Sequence, residues 1–203
     1  MRAPLLQPGL FDDGPRILVA DAEGGIHYAP GFVDDATAHN WFDRLREDVA
    51  WRDIQRPMYE RVVDVPRRIA SYALDAADLP GALAEAAAHV RRMLPHPFDH
   101  VGLNLYRNGR DSVAMHNDRL QDLAPGHSIA LVSLGAPRDM LIRPKPGVVG
   151  RALRIRLEPG SLLVMSHASQ STHEHGIPKT AEPVGPRISL AFRVRGAALR
   201  VSR

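Results

Sequence analysis

The 203-residue chain contains no cysteine. That excludes a disulfide framework, thiolate metal sites and a cysteine nucleophile, so any metal has to be held by histidine and carboxylate. No run approaches the roughly 18 apolar residues of a membrane-spanning helix, and residues 1–8 are too short and proline-broken for a signal peptide. A cytoplasmic location with no membrane partner is the expectation. Lysine is nearly missing, since of 26 basic residues only Lys145 and Lys179 are lysines. The remainder are arginines, whose planar fork suits phosphate and carboxylate equally. A net charge of +3 permits a nucleic-acid partner without demanding one. Internal repeats and low-complexity segments are also absent.

What is present reads as one domain over residues 1–203, a length that buries a sizeable core. Residues 1–16 lack any apolar period and are expected to lie over the surface, the first part of an N-terminal extension spanning 1–30. Ile17–Ala20 and Ile26–Ala29 flank Glu23-Gly24-Gly25 as a short hairpin. From Asp34, a candidate N-cap, the positions Ala38, Trp41, Phe42, Leu45 and Val49 predict an amphipathic helix ending near Trp51. Residues 61–72 read as extended. A second helix is predicted from Pro80, as its first residue, through Leu83, Ala86, Ala87 and Val90 to Pro95. Beyond Pro97 come eight short β-type runs: 101–106, 112–118, 127–134, 138–143, 151–157, 160–166, 173–177 and 187–195. Eight strands after two helices predict a mainly β, α+β fold, a double-stranded β-helix or jelly roll occupying 100–195, with the helices backing one sheet.

Within that core, His116-x-Asp118 puts an imidazole and a carboxylate on one side of an extended segment. A third ligand is expected from a distant strand, and His167, His173 and His175 are all open on spacing alone. The closing run alternates: Ile188, Leu190, Phe192 and Val194 form an apolar face, and Arg187, Ser189, Ala191 and Arg193 the other. With the apolar face outward on the helices, both guanidiniums point inward and need anions. A dicarboxylate gripped by an arginine fork would supply one.

Asn104-x-Tyr106, His116-x-Asp118, the segment 170–179 with His175-x-x-Pro178 inside it, and Arg187-x-Ser189-x-x-Phe192-Arg193 occur in this order. Over about residues 60–195 the chain resembles the AlkB-type members of the 2-oxoglutarate and Fe(II)-dependent dioxygenases. The resemblance implies that His116, Asp118 and His175 hold Fe(II), and that Asn104, Tyr106, Arg187 and Arg193 bind 2-oxoglutarate, with Arg187 and Tyr106 at the distal carboxylate. It implies oxidative decarboxylation of 2-oxoglutarate to succinate with O2 as co-substrate. An N-alkyl group on a DNA base, or an RNA base, would be hydroxylated and released as an aldehyde, formaldehyde from methyl. Residues 56–75 resemble the family's substrate lid, with Tyr72 as the ring that stacks on a flipped base and Arg67 and Arg68 as phosphate contacts. A monomer acting on alkylated single- or double-stranded DNA is expected. Leu120 stands where an acidic residue is common in this group, leaving base preference open. Competing readings are a dioxygenase of the same fold acting on a small molecule or protein side chain, and a non-catalytic metal-binding jelly roll.

Asn108-Gly109 is a turn signal. For Asn104, Tyr106, His116 and Asp118 to share one face of a single hairpin, its loop must hold an odd number of residues or a bulge around 108–110.

Overall fold

The first helix begins where a side chain can satisfy its free N–H groups. Asp34 accepts from the Thr37 backbone N–H at 2.8 Å, a cap worth about 1 kcal/mol. In the computed structural model, which describes residues 14–58 and 61–196, the chain opens with strands β1 (Arg16–Val19) and β2 (Ile26–Ala29), paired antiparallel. Helix α1 (Asp35–Asp48) follows and buries Ala38, Trp41, Phe42 and Leu45, stopping three residues before Trp51. Strands β3 (Arg52–Met58) and β4 (Arg61–Ala73) pair with each other, and β3 was not anticipated from the sequence. Helix α2 (Gly81–Met93) has Pro80 at its N-cap, one place earlier than expected, and its alanines 82, 86 and 87 let it pack closely.

The eight runs after Pro97 all form strands: β5 (His100–Tyr106), β6 (Val113–His116), β7 (Ile129–Gly135), β8 (Arg138–Pro144), β9 (Leu153–Leu157), β10 (Leu162–Met165), β11 (His173–Ile177) and β12 (Arg187–Arg193). A short helix α3 (Ser169–Thr172) precedes β11. One sheet has the order β1-β2-β10-β7-β12-β5-β4-β3 and the other β6-β11-β8-β9. This is the expected mainly β jelly-roll arrangement, with α1 and α2 on the outer face of the larger sheet. No helix among the described residues is long and apolar enough to cross a membrane.

The turn expectation fails. Strands β5 and β6 belong to different sheets, so residues 107–112 form a crossover and not a hairpin of any loop length. Asp111 fixes it, accepting from Arg107 N and Nε, each at 2.8 Å. Buried Arg138 closes it from beyond, donating to the carbonyls of Asn108, Asp111 and Pro178. His116 ends β6, which places Asp118 outside regular strand.

Two apolar layers result. Leu45, Leu83 and Val90 of the helices pack with Leu103, Ile188, Leu190 and Phe192 of the larger sheet, while Tyr106, Leu131, Met140, Ile142 and Ile177 fill the space between the sheets. The outer layer is close-packed where Gly135 ends β7. At φ 78°, a Cβ there would lie 2.5 Å from Phe42 Cε2 and 2.6 Å from the Pro186 carbonyl. Gly126 has a similar φ of 73° but open space around it. Gly126→Ala should therefore cost only the left-handed backbone penalty, about 1–2 kcal/mol. Gly135→Ala adds overpacking of roughly 1–3 kcal/mol. Urea unfolding of the two variants is the check, and equal midpoints would contradict this packing.

Candidate metal centre and adjoining cavity

His116 and His175 are directly opposed across the β6–β11 pair, and their ring centroids are 4.5 Å apart. Asp118 reaches them from the loop because buried Gln170, on α3, accepts from its backbone N–H at 3.0 Å. One donor atom from each of His116, Asp118 and His175 lies within 4.8 Å of the others. His167 and His173 are not in this group; the His173 Nδ1 is 2.9 Å from the Thr172 hydroxyl. Geometry thus selects among three histidines that spacing left open.

The protonation states suit a cation. His116 Nδ1 lies 2.9 Å from the Ala114 carbonyl, which can only accept, so in the neutral ring Nδ1 carries the proton and Nε2 keeps its lone pair. That Nε2 is 3.9 Å from Asp118 Oδ1. Burial, and then proximity to His116, lowers His175 from the usual 6.5 to about 4, so it is neutral at physiological pH. Burial would raise the Asp118 carboxyl, but Arg193 overrides it and holds the pKa below the ordinary value. Arg193 Nε donates to Asp118 Oδ2 at 2.8 Å and Nη2 is ion-paired with the same oxygen at 2.8 Å, leaving Oδ1 for another partner. Two imidazoles and one carboxylate, with no thiolate, match the donor set of a non-haem Fe(II) site with open positions.

Beside this group lies a cavity of about 180 Å³ between the sheets, lined by Arg67, Asn104, Tyr106, His116, His175, Arg187, Ser189 and Arg193 among others. The inward face of β12 supplies three of these, as its alternation requires. Arg187 is 1% exposed. Its Nη2 donates to Ser133 Oγ at 2.9 Å, whereas Nε and Nη1 have no partner among the described residues. Burial lowers its pKa, opposed by the Tyr106 phenol, and its Cζ sits 5.1 Å from the Tyr106 ring centroid. A buried cation with two unmatched donors costs several kcal/mol unless an anion meets it. The cavity is therefore shaped for an anion at Arg187 with a metal-binding group at its other side.

The lid expectations fare differently. Tyr72 pairs with Val101 and packs on the helix-side core, its hydroxyl accepting from Ala50 N at 3.3 Å. It lies on the face opposite the cavity, so it is not a stacking ring. Arg67 turns inward, donating to Asn104 Oδ1 at 2.7 Å and lining the cavity, and is not a phosphate contact on an outer rim. Arg68 is exposed and ion-paired with Asp53 at 3.1 Å. Tyr59, the other aromatic of the lid, lies outside the described residues. The roles of Gln170, Ser133 and Arg138 were not legible in sequence, since a polar residue that serves another side chain carries no periodic signal.

Comparison with known proteins agrees with this centre. The profile of the 2OG-Fe(II) oxygenase superfamily matches residues 55–193, and the chain belongs to that superfamily. Within it, the chain is AlkB-type by likeness. It is 36% identical over 111 residues to the human DNA oxidative demethylase ALKBH2, covering 52% of this chain and 42% of that protein. It is 31% identical over 186 residues to the human alpha-ketoglutarate-dependent dioxygenase alkB homolog 3, covering 81% and 64%. The chain thus spans less than two thirds of these relatives' length. A crystal structure of a 2OG-Fe(II) oxygenase family oxidoreductase from Burkholderia pseudomallei shares the fold, with a TM-score of 0.56 at 14% identity over 85% of this chain and 87% of that one.

The buried neutral His175 has a measurable consequence. Its folded pKa, about 4, lies below the usual 6.5, so between these values the unfolded chain binds a proton that the folded chain does not. Metal-free protein should hold this stability above pH 6.5 and lose up to about 3 kcal/mol as pH falls toward 4. His175→Asn should flatten the profile, as read by urea unfolding at stepped pH. An unchanged slope would show that His175 titrates normally.

Proposed function

We propose that this protein is a 2-oxoglutarate and Fe(II)-dependent dioxygenase that removes N-alkyl groups from bases in nucleic acid, with DNA as the leading substrate and RNA as the second. The observation that carries the co-substrate is Arg187, a buried guanidinium with two unmatched donors across one cavity from the His116, Asp118, His175 group. A 2-oxoacid with a second carboxylate is the ligand that meets both ends. The nucleic-acid assignment draws on the demethylase relatives and the arginine-rich chain.

His116 Nε2, Asp118 Oδ1 and a nitrogen of His175 would hold Fe(II). Fe(II) held there would, with O2, supply oxidative decarboxylation of 2-oxoglutarate to succinate and carbon dioxide and hydroxylation of the N-alkyl carbon, so that the C–N bond would break to an aldehyde and the restored base. The side chains have preparatory tasks. Arg187 Nε and Nη1 take the distal carboxylate in a charge-assisted pair, while Ser133 holds the third nitrogen in place. Arg67 and Ser189 fix both ends of the Asn104 amide, at 2.7 and 3.4 Å, so that it faces the cavity in one orientation. Arg193 keeps Asp118 ionised and one-handed. One chain contains every residue invoked, so a monomer suffices.

The test is formaldehyde and succinate release from methylated single-stranded DNA with Fe(II) and 2-oxoglutarate. His116→Ala should abolish both products. Arg187→Gln should raise KM for 2-oxoglutarate at least tenfold, the loss of a charged hydrogen-bond pair worth about 1.5–3 kcal/mol, with metal binding retained. Consumption of 2-oxoglutarate by wild type without any lesion-dependent formaldehyde would sink the dealkylase reading and leave the dioxygenase one standing.

A further inference from the structure

A helix of four residues carries the side chain that holds a metal ligand in place. Helix α3 is too short to persist on its own hydrogen bonds, yet its Gln170 accepts from the backbone of Asp118. Whatever anchors α3 therefore bears on the metal group.

The anchors come from the turn between β1 and β2, which meets this segment across 145 residues of sequence. Glu23 Oε2 accepts from the Ala168 backbone N–H at 2.7 Å, and the Gly25 carbonyl accepts from that of Ser166 at 2.9 Å. Asp21 Oδ2 accepts from the Ser166 hydroxyl at 2.6 Å. From there the hydrogen bonds continue to the metal group. Ser166 Oγ accepts from Ser169 N at 2.9 Å, Ser169 Oγ from Gln170 Nε2 at 3.2 Å, and Gln170 Oε1 from Asp118 N at 3.0 Å. Ser166, Ser169 and Gln170 are all buried, so water does not stand ready to replace a missing partner.

The direction of this chain matters as much as its continuity. A hydroxyl has one proton to donate. Ser166 gives its proton to Asp21, and Ser169 gives its own to the Ser166 carbonyl at 2.7 Å. Both oxygens are left as acceptors, so the Gln170 amide turns its NH2 toward Ser169 and its carbonyl toward Asp118. Reversed, it would set NH2 against the Asp118 N–H, donor to donor. Asp118 is thereby held twice, its backbone through α3 and its carboxylate by Arg193.

We infer that Asp21 and Glu23 are positioning residues of the metal centre. The β1–β2 turn fixes α3, α3 orients Gln170, and Gln170 sets where Asp118 stands relative to His116 and His175. The inference rests on the metal centre assigned above and is independent of which substrate is oxidised. Removing an outer partner of a metal ligand typically lowers metal affinity by roughly 10–100-fold.

The probe is Mn(II) alone, its dissociation constant measured by calorimetry on the full chain. Asp21→Ala should weaken binding at least tenfold, and exchange of the Asp118 amide hydrogen should quicken at least tenfold with it. Asp21→Asn, which keeps an acceptor oxygen for Ser166, should stay within threefold of wild type. Glu23→Ala, at an exposed position, should weaken binding at least threefold and carries the test should Asp21→Ala not fold. Asp34→Ala, which loses the α1 cap, is the control for stability alone and should lower the urea midpoint without changing the Mn(II) constant. Wild-type Mn(II) affinity and Asp118 exchange in both alanine variants of the turn would overturn the inference. An equal loss of affinity in Asp34→Ala would do the same, since stability would then account for it. Wild type binding Mn(II) no better than His116→Ala would instead remove the metal centre, and the inference with it.

Discussion

A two-residue period on β12 sends Ile188, Leu190 and Phe192 to one side of the sheet and Arg187, Ser189 and Arg193 to the other. The apolar side is fully buried against α1 and α2, where each such side chain contributes roughly 1.5–3 kcal/mol. That burial fixes the strand's rotation and leaves no freedom over the other face. Two guanidiniums are thereby held between the sheets by hydrophobic packing outside them. A slip of one residue would expose the core face and bury the arginines among helices with no acceptor, so the register of β12 is set far more firmly than any hydrogen bond within the cavity could set it.

The two arginines then meet different fates. Arg193 finds its counter-ion inside the chain, and in doing so constrains Asp118 to present a single oxygen toward the histidines. Arg187 finds a hydroxyl and an aromatic face but no carboxylate among the described residues, and Arg138 adds a second guanidinium 5.8 Å from the same Tyr106 ring. Arg138 is occupied by the carbonyls of Asn108, Asp111 and Pro178, so the guanidinium left with unmatched donors beside Tyr106 is Arg187. The asymmetry between the two arginines is what the proposed co-substrate would use, its far carboxylate at Arg187 and its near end toward the group Arg193 keeps in order.

Much of this was legible in sequence wherever the signal was periodic and local. The eight strands after Pro97 and the inward arginines follow from alternation, and α1 follows from helical spacing behind the Asp34 cap. Legibility stopped where an assignment depended on a partner. Tyr72 occupies an extended segment, as read, but its face is decided by the pairing of Arg68 with Leu105 and Tyr72 with Val101. Strand β3 is an edge strand rich in polar residues that pairs only with β4, and edge strands lack the alternation that burial imposes. Among the three downstream histidines, spacing was silent because His173 and His175 share a face, and only the opposition of His175 to His116 separates them.

The crossover at 107–112 is the instructive failure. Asn108-Gly109 is a good local turn, and Asn108 does use its side chain to accept from Arg110 N at 3.0 Å. A turn, however, specifies only that the chain bends, while the sheet each strand joins is decided by the partner with which it can bury its face. Strand β5 is taken by β4 and β12, which leaves no edge for β6; β6 pairs instead with β11. That choice is what creates the site. A hairpin would have put Asn104, Tyr106, His116 and Asp118 on one wall, with nothing across from them. With the two strands on opposite sheets, the Tyr106 end and the His116 end face each other over a cavity of about 180 Å³, and a ligand can be held at both ends at once.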